Sequence, residues 1–78
     1  MMNIDPEIFL KDLKAEIDLF AVAQKDTSLD ALPGWDSLAI LLVLSFFEEK
    51  YGVSVSGQQV RACRTVADLY SLAFPARS

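Results

Sequence analysis

Three places in this chain stand out as candidates for chemistry. Asp36-Ser37 lies where the turn Leu32-Pro33-Gly34-Trp35 runs into the apolar segment 38–47, Glu48-Glu49 follows that segment, and Cys63 is the single thiol. A hydroxyl or thiol nucleophile needs a base within hydrogen-bond reach, and histidine, the usual one, is absent from the sequence. Asp36 is the one acid beside Ser37, and neighbouring side chains leaving a turn generally point apart. Glu48 and Glu49 would be consecutive on a helix, do not face each other, and read as a solvated helix end. Cys63 reads as a small buried hydrophobe rather than a reactive thiol. A lone cysteine without histidine also leaves no internal disulfide and no thiol–imidazole zinc site. The chemistry therefore points away from an enzyme. It leaves Ser37 conspicuous by position, at or beside the first turn of a helix, where a serine is usually a cap.

The elements that must position Ser37 can be read from periodicity and punctuation. Asp5-Pro6-Glu7 is a helix start, since Asp5 can accept from unpaired N–H groups and Pro6 at the first helical position gives up no hydrogen bond. Ile4 and Phe9 are spaced as a staple across that cap. Leu10, Leu13, Ile17 and Phe20 then recur at intervals of three and four, which predicts helix I from Pro6 to Ala23. Polar residues and Pro33-Gly34 predict a long loop from Gln24 to Trp35, with Leu29 and Leu32 anchoring it to the core. Trp35 either covers the core at the loop's end or also shields whatever Ser37 carries.

Helix II is expected from Asp36 or Ser37 to Tyr51, with Gly52 supplying the left-handed residue that closes it. Ile40, Val43, Leu44, Phe47 and Tyr51 form its expected core stripe. Leu38, Ala39, Leu41, Leu42 and Phe46 are apolar too, so this helix is hydrophobic almost all round and is expected to present some of them to a partner. Val53-Ser54-Val55-Ser56 reads as an extended connector with both valines inward. Ser56 and Gln59 have capping-box spacing, with Val55 and Val60 as its staple, and predict a short helix III from Gly57 to Ala62. Thr65 caps helix IV, which carries Val66, Leu69, Tyr70, Leu72 and Ala73 and stops at Phe74-Pro75. The expectation is an all-α fold, a small bundle of three principal helices plus a short helix III, in one domain spanning 1–78.

Composition narrows the partners. With 53% hydrophobic residues the chain suits a packed globule, and a formal net charge of −4 disfavours nucleic acid and anionic membrane. The apolar run is about half of the roughly 20 residues that a spanning helix needs. Met1 to Asp5 lacks the basic, apolar and small-residue order of a secretory signal. A soluble, cytoplasmic monomer is expected.

The order of elements, with Gly34-Trp35-Asp36-Ser37-Leu38 before an apolar helix, Glu48-Glu49 near its end, Gly52-Val53 and Val55-Ser56 after it, and Thr65-Val66-Ala67-Asp68-Leu69 opening the last helix, resembles the acyl carrier protein family from about Ile8 to Ala73. The resemblance implies that Ser37 receives a 4'-phosphopantetheine arm from coenzyme A, added by a separate phosphopantetheinyl transferase that recognises Asp36. The arm's thiol would carry acyl groups as thioesters between acyl-loading and acyl-processing enzymes. A phosphate there also suits the free N–H groups and dipole of a helix N-terminus. Partner docking would fall to Leu38, Ala39, Leu41, Leu42, Phe46, Glu48 and Glu49.

Two departures from the family pattern are informative. Acidic residues usually spread along helix II are confined here to Glu48 and Glu49, while Ala39, Leu42 and Phe46 take positions that look exposed. That favours a dedicated partner with an apolar docking surface, as in specialised polyketide, lipid or mixed peptide biosynthesis, over a general fatty-acid carrier. The paired glycines usual near the serine of peptidyl carriers are absent, which makes an aminoacyl cargo the alternative rather than the first expectation. From another class, the chain could be a helical interaction module that binds a partner through helix II without modification.

Overall fold

In the computed structural model, which describes residues 4–75, Asp5 starts α1 (Pro6–Glu16) by accepting the Glu7 N–H at 2.9 Å. Met1–Asn3 and residues 76–78, part of the domain expected over 1–78, lie outside the described residues. α1 buries Phe9 and Leu13 and then stops seven residues before Ala23, where the periodicity places its end. Ile17 is extended (φ −127°, ψ 110°), and a separate 3₁₀ turn, Asp18–Phe20, follows. Ile17, Phe20 and Ala23 are nevertheless all buried. The break thus preserves apolar spacing, and no Gly or Pro marks it, so tertiary burial decides a boundary that periodicity cannot register.

The loop after Ala23 is held by its backbone. Leu29 N–H donates to Arg64 O at 2.8 Å, Val66 N–H to Thr27 O at 3.2 Å and Ala67 N–H to Lys25 O at 2.7 Å. These bonds lay the loop along the connection into the last helix, with Ser28 and Thr65 forming an isolated antiparallel bridge. Leu29, inside a 3₁₀ turn Leu29–Ala31, and Leu32 are buried as anchors. Pro33 and Gly34 then fill the middle of a turn closed by Trp35 N–H to Leu32 O at 3.3 Å. Gly34 has φ 86°, the positive value that the third residue of a type II turn demands. Trp35 leaves the turn edge-on to Phe20, with ring centroids 6.0 Å apart, and is half-buried over the core.

α2 (Ser37–Phe46) runs on through one wider π turn, Phe47–Tyr51, to Gly52 at φ 67°. The helical course therefore ends at Tyr51 as expected. Ile40, Val43 and Phe47 are buried, while Leu44 and Tyr51, expected with them, are half-buried at the edge of the core. Val53 and Val55 also pack against the core from an extended connector. α3 (Gly57–Arg61) begins with the capping box of Ser56 and Gln59, and α4 (Val66–Ala73) with the box of Thr65 and Asp68. The Arg64 and Thr65 N–H groups, in that order, hold the Asp68 carboxyl below its usual range.

The result is an all-α fold of four helices, three of them eight residues or longer, with a long loop between the first two and no strand among the described residues. Phe9 ties its parts together: its ring lies 5.5 Å from Tyr70, 5.9 Å from Tyr51, 6.1 Å from Phe47, 6.2 Å from Phe46 and 6.3 Å from Phe74. Several of these pairs are edge-on, an arrangement favoured by the ring quadrupoles. Tyr70 Oη also donates to the Ile4 carbonyl and so pins the chain before α1 to α4.

Two glycines should respond oppositely to a methyl group. At Gly52, φ 67° makes any side chain strained although nothing lies within 4 Å, so Gly52→Ala should cost about 1–2 kcal/mol. At Gly57 the new methyl would meet Ile40 and Leu44 of α2 at 3.8 and 3.9 Å, ordinary contact, so Gly57→Ala should gain about 0.4–1 kcal/mol. Urea midpoints shifting in opposite directions at unchanged m would bear this out; a shift in the same direction would contradict it.

Candidate functional site

The start of α2 divides its work between two residues. Asp36 has extended backbone (φ −138°, ψ −169°), and its Oδ1 accepts the Ala39 N–H at 3.1 Å, so Asp36 is the N-cap. Ser37 is the first helical residue, and its hydroxyl is not the cap that a serine in this position usually provides. Its exposed Oγ instead accepts a hydrogen bond from the Arg61 guanidinium of α3, Nη2 to Oγ 3.0 Å. The Asp36 carboxylate, committed to Ala39, is turned toward the helix backbone rather than offered to Oγ as a base.

Arg61 is the residue that sequence reasoning missed. It lies 24 positions from Ser37, in the last turn of a five-residue helix. No local spacing joins the two, and only the packing of α3 on α2 brings them together. That packing is close at its N-terminal end, where Gly57 lies against Ile40 and Leu44.

The expected docking residues separate into two groups. Leu38, Leu41 and Leu42 are exposed, at 66%, 58% and 47%. Ala39 and Phe46, expected beside them, are buried at 4% and 6%. Residues 39, 43 and 46 follow one another at helical spacing, so Ala39 and Phe46 share the face of Val43, which points into the protein. Phe46 also stands edge-on to Phe9 and, at 5.4 Å, to Tyr51. The buried arc of α2 is therefore wider than the expected stripe, and these two residues leave the candidate surface. Glu48 and Glu49 are exposed, and Glu48 Oε2 accepts from the Ser54 hydroxyl at 3.0 Å.

Elsewhere, the titratable Tyr51 and Cys63 are half-buried against the core. Burial, and then the Asp12 carboxylate, pushes up the Tyr51 phenol, whose Oη donates to Asp12 Oδ2 at 3.2 Å. Burial, followed by Asp68, raises the Cys63 thiol, which keeps it protonated and a weak nucleophile at neutral pH. Cys63 is half-buried against the core, with Sγ 3.5 Å from the Gln59 carbonyl. Among the described residues no three His, Cys, Asp or Glu side chains come together as a metal site. No described helix is long and apolar enough to cross a membrane.

Comparison of the chain with protein-family models, with curated proteins and with solved structures finds no match.

Two substitution pairs test this geometry. Asp36→Ala should lower unfolding free energy by about 1 kcal/mol, while Asp36→Asn, which keeps a capping oxygen, should lose much less; equal losses would mean that the cap contributes nothing. Leu42→Glu should change stability by no more than about 0.5 kcal/mol, as at an exposed site. Phe46→Glu should cost on the order of 3 kcal/mol or more, because it removes a core ring and buries a charge. Denaturation curves that rank the latter pair in reverse would show that the two faces of α2 have been exchanged.

Proposed function

We propose that this chain is a carrier protein that holds acyl intermediates on a 4'-phosphopantetheine arm attached to Ser37. The observation that carries the reading is the division of labour at the head of α2: Asp36 satisfies the helix backbone, which leaves the Ser37 hydroxyl exposed and beside the cationic Arg61. A hydroxyl needed as a cap would be hard to modify without loosening the helix. This one can be esterified with the cap in place.

The donor set suits a phosphodiester. Ser37 supplies the ester oxygen, the first turn of α2 supplies N–H groups without intrahelical partners, and Arg61 supplies a guanidinium. In attachment, Ser37 Oγ forms the new P–O bond to the phosphorus bearing the pantetheine of coenzyme A. The pyrophosphate P–O bond on that phosphorus breaks, adenosine 3',5'-bisphosphate leaves, and the hydroxyl proton passes to the transferase or to water. The Asp36 carboxylate accepts from the Ala39 N–H through Oδ1 and makes no hydrogen bond to Ser37 Oγ, so on this reading a separate transferase supplies the base. The arm, once attached, supplies a thiol that carries acyl groups as thioesters.

Leu38, Leu41 and Leu42 are then the surface on which a transferase and the acyl-loading and acyl-processing enzymes would dock, with Glu48 and Glu49 at its far end. An apolar surface beside the attachment point favours dedicated partners of a specialised polyketide, lipid or mixed peptide route, working with a monomeric, cytoplasmic carrier. The same three leucines support a second reading, an interaction module that binds a partner through α2 and needs no modification.

Incubation of the purified chain with coenzyme A and a broad-specificity phosphopantetheinyl transferase, followed by intact-mass measurement, separates the readings. The wild type should gain one phosphopantetheine and Ser37→Ala none. No gain by wild type, or equal gain by Ser37→Ala, would remove the carrier reading, and partner binding that survives Ser37→Ala would then favour the module.

A further inference from the structure

We infer that Arg61 is a positioning residue for the phosphodiester at Ser37, holding the root of the arm against α3; this rests on the carrier reading above. The starting observation is the 3.0 Å bond from Arg61 Nη2 to Ser37 Oγ, made across two helices by side chains that are both exposed. For the fold alone this contact has little value, because exposed polar contacts exchange readily with water. Its chemical consequence depends on what Oγ becomes.

On the free serine, Oγ is a neutral acceptor that engages one N–H of the guanidinium. Esterification turns it into a bridging oxygen, a poorer acceptor, and places two non-bridging oxygens, which share one negative charge, two bonds further on. A guanidinium offers five N–H donors in a planar fork suited to two such oxygens, and it keeps its charge at any pH at which the protein is folded. Arg61 therefore exchanges a single neutral contact for a charge-assisted, two-point one without leaving the neighbourhood it already occupies. The covalent link keeps the phosphate within reach, so the ion pair forms without the entropic cost of bringing two molecules together.

The choice of helix matters as well. α3 is five residues long and is started by the Ser56–Gln59 capping box, whose two bonds measure 2.9 and 3.1 Å. Its N-terminal end is braced on Ile40 and Leu44 of α2, and Arg61 stands in its last turn. A pairing between Arg61 and the phosphate would thus tie the root of the arm to the α2–α3 side of the molecule rather than to the loop that precedes Ser37. It would also give α3 an electrostatic hold on α2 that the unmodified chain lacks.

The test compares apo and phosphopantetheinylated wild type with R61Q and R61K, each loaded from coenzyme A and checked by mass. The new bond forms at Ser37, so each protein is carried to complete loading by mass before comparison, whatever its rate. In wild type, loading should shift the Arg61 guanidinium N–H resonances, and the ³¹P resonance of the arm should differ from that of R61Q. At about 1 M salt, where the Debye length falls to roughly 3 Å, the wild-type ³¹P resonance should move toward the R61Q position. R61K, which keeps the charge without the fork, should fall between them. Amide spectra of apo R61Q that match wild type away from residues 37 and 61 guard against a folding defect. If wild type is loaded but its Arg61 resonances do not move and its ³¹P signal coincides with that of R61Q, the inference is wrong while the carrier reading stands. If wild type takes no arm, both fall.

Discussion

α2 is apolar on more sides than its neighbours enclose, leaving Leu38, Leu41 and Leu42 exposed, and much of the rest of the structure packs against its remaining face. Its face of Ala39, Ile40, Val43, Phe46 and Phe47 is buried. The Phe9 ring of α1 meets that face, with Tyr70 of α4 and Phe74 beyond it closing the same end of the bundle. α3 adds Val60 to the core and lays Gly57 against Ile40 and Leu44. After these contacts one strip remains open, from Leu38 through Leu41 and Leu42 to Ser45 and then Glu48 and Glu49. Ser37 heads that strip, one turn before Leu41. The exposure of Ser37 and the uncovered apolar surface are therefore consequences of one helix being only partly enclosed.

Where the helix starts is set by a second, smaller contest. Unpaired N–H groups in the first turn need acceptors, and both Asp36 and Ser37 have side chains that can provide one. The type II turn at Pro33-Gly34 delivers the chain so that Asp36 is the extended residue and Ser37 the first helical one. The aspartate is the one placed to cap, which frees the hydroxyl for Arg61. Had the turn ended one residue later, Ser37 would have been the cap and Asp36 an exposed carboxylate beside it.

Much of this framework is legible in the chain itself. The starts at Asp5, Ser56 and Thr65, the left-handed Gly52, the loop anchors Leu29 and Leu32, and four helices in order can be read because each rests on contacts spanning six residues or fewer, or on an apolar residue within a polar stretch. The failures are of another kind. Ile17 breaks α1 for reasons lodged in its packing, with no breaker residue to announce it. On α2 a helical wheel has little contrast, because nearly every position is apolar, so Ala39 and Phe46 cannot be distinguished from Leu38 and Leu42 before their surroundings are known. The bonds that dock the loop on the start of α4, and the bond from Arg61 to Ser37, join residues far apart in sequence through groups common to any chain. Their absence from a sequence reading reflects how little local pattern such contacts need.

The loss of Ala39 and Phe46 from the open face sharpens the functional reading more than it weakens it. With them, α2 would have presented an apolar surface with no direction, suited to almost any greasy partner. Without them the exposed strip is narrow and ordered, with three leucines beside Ser37 and two carboxylates about two turns beyond Leu42. On the carrier reading, a partner that aligns with the strip must place apolar contact next to its own reaction centre and complementary positive charge further away. Burial of the leucines would supply most of the affinity, whereas the carboxylates, exposed and screened, would chiefly set orientation. On that reading such an arrangement would select one polarity of docking along α2, and that polarity would bring Ser37, rather than the Gly52 end of the helix, to the partner's active site.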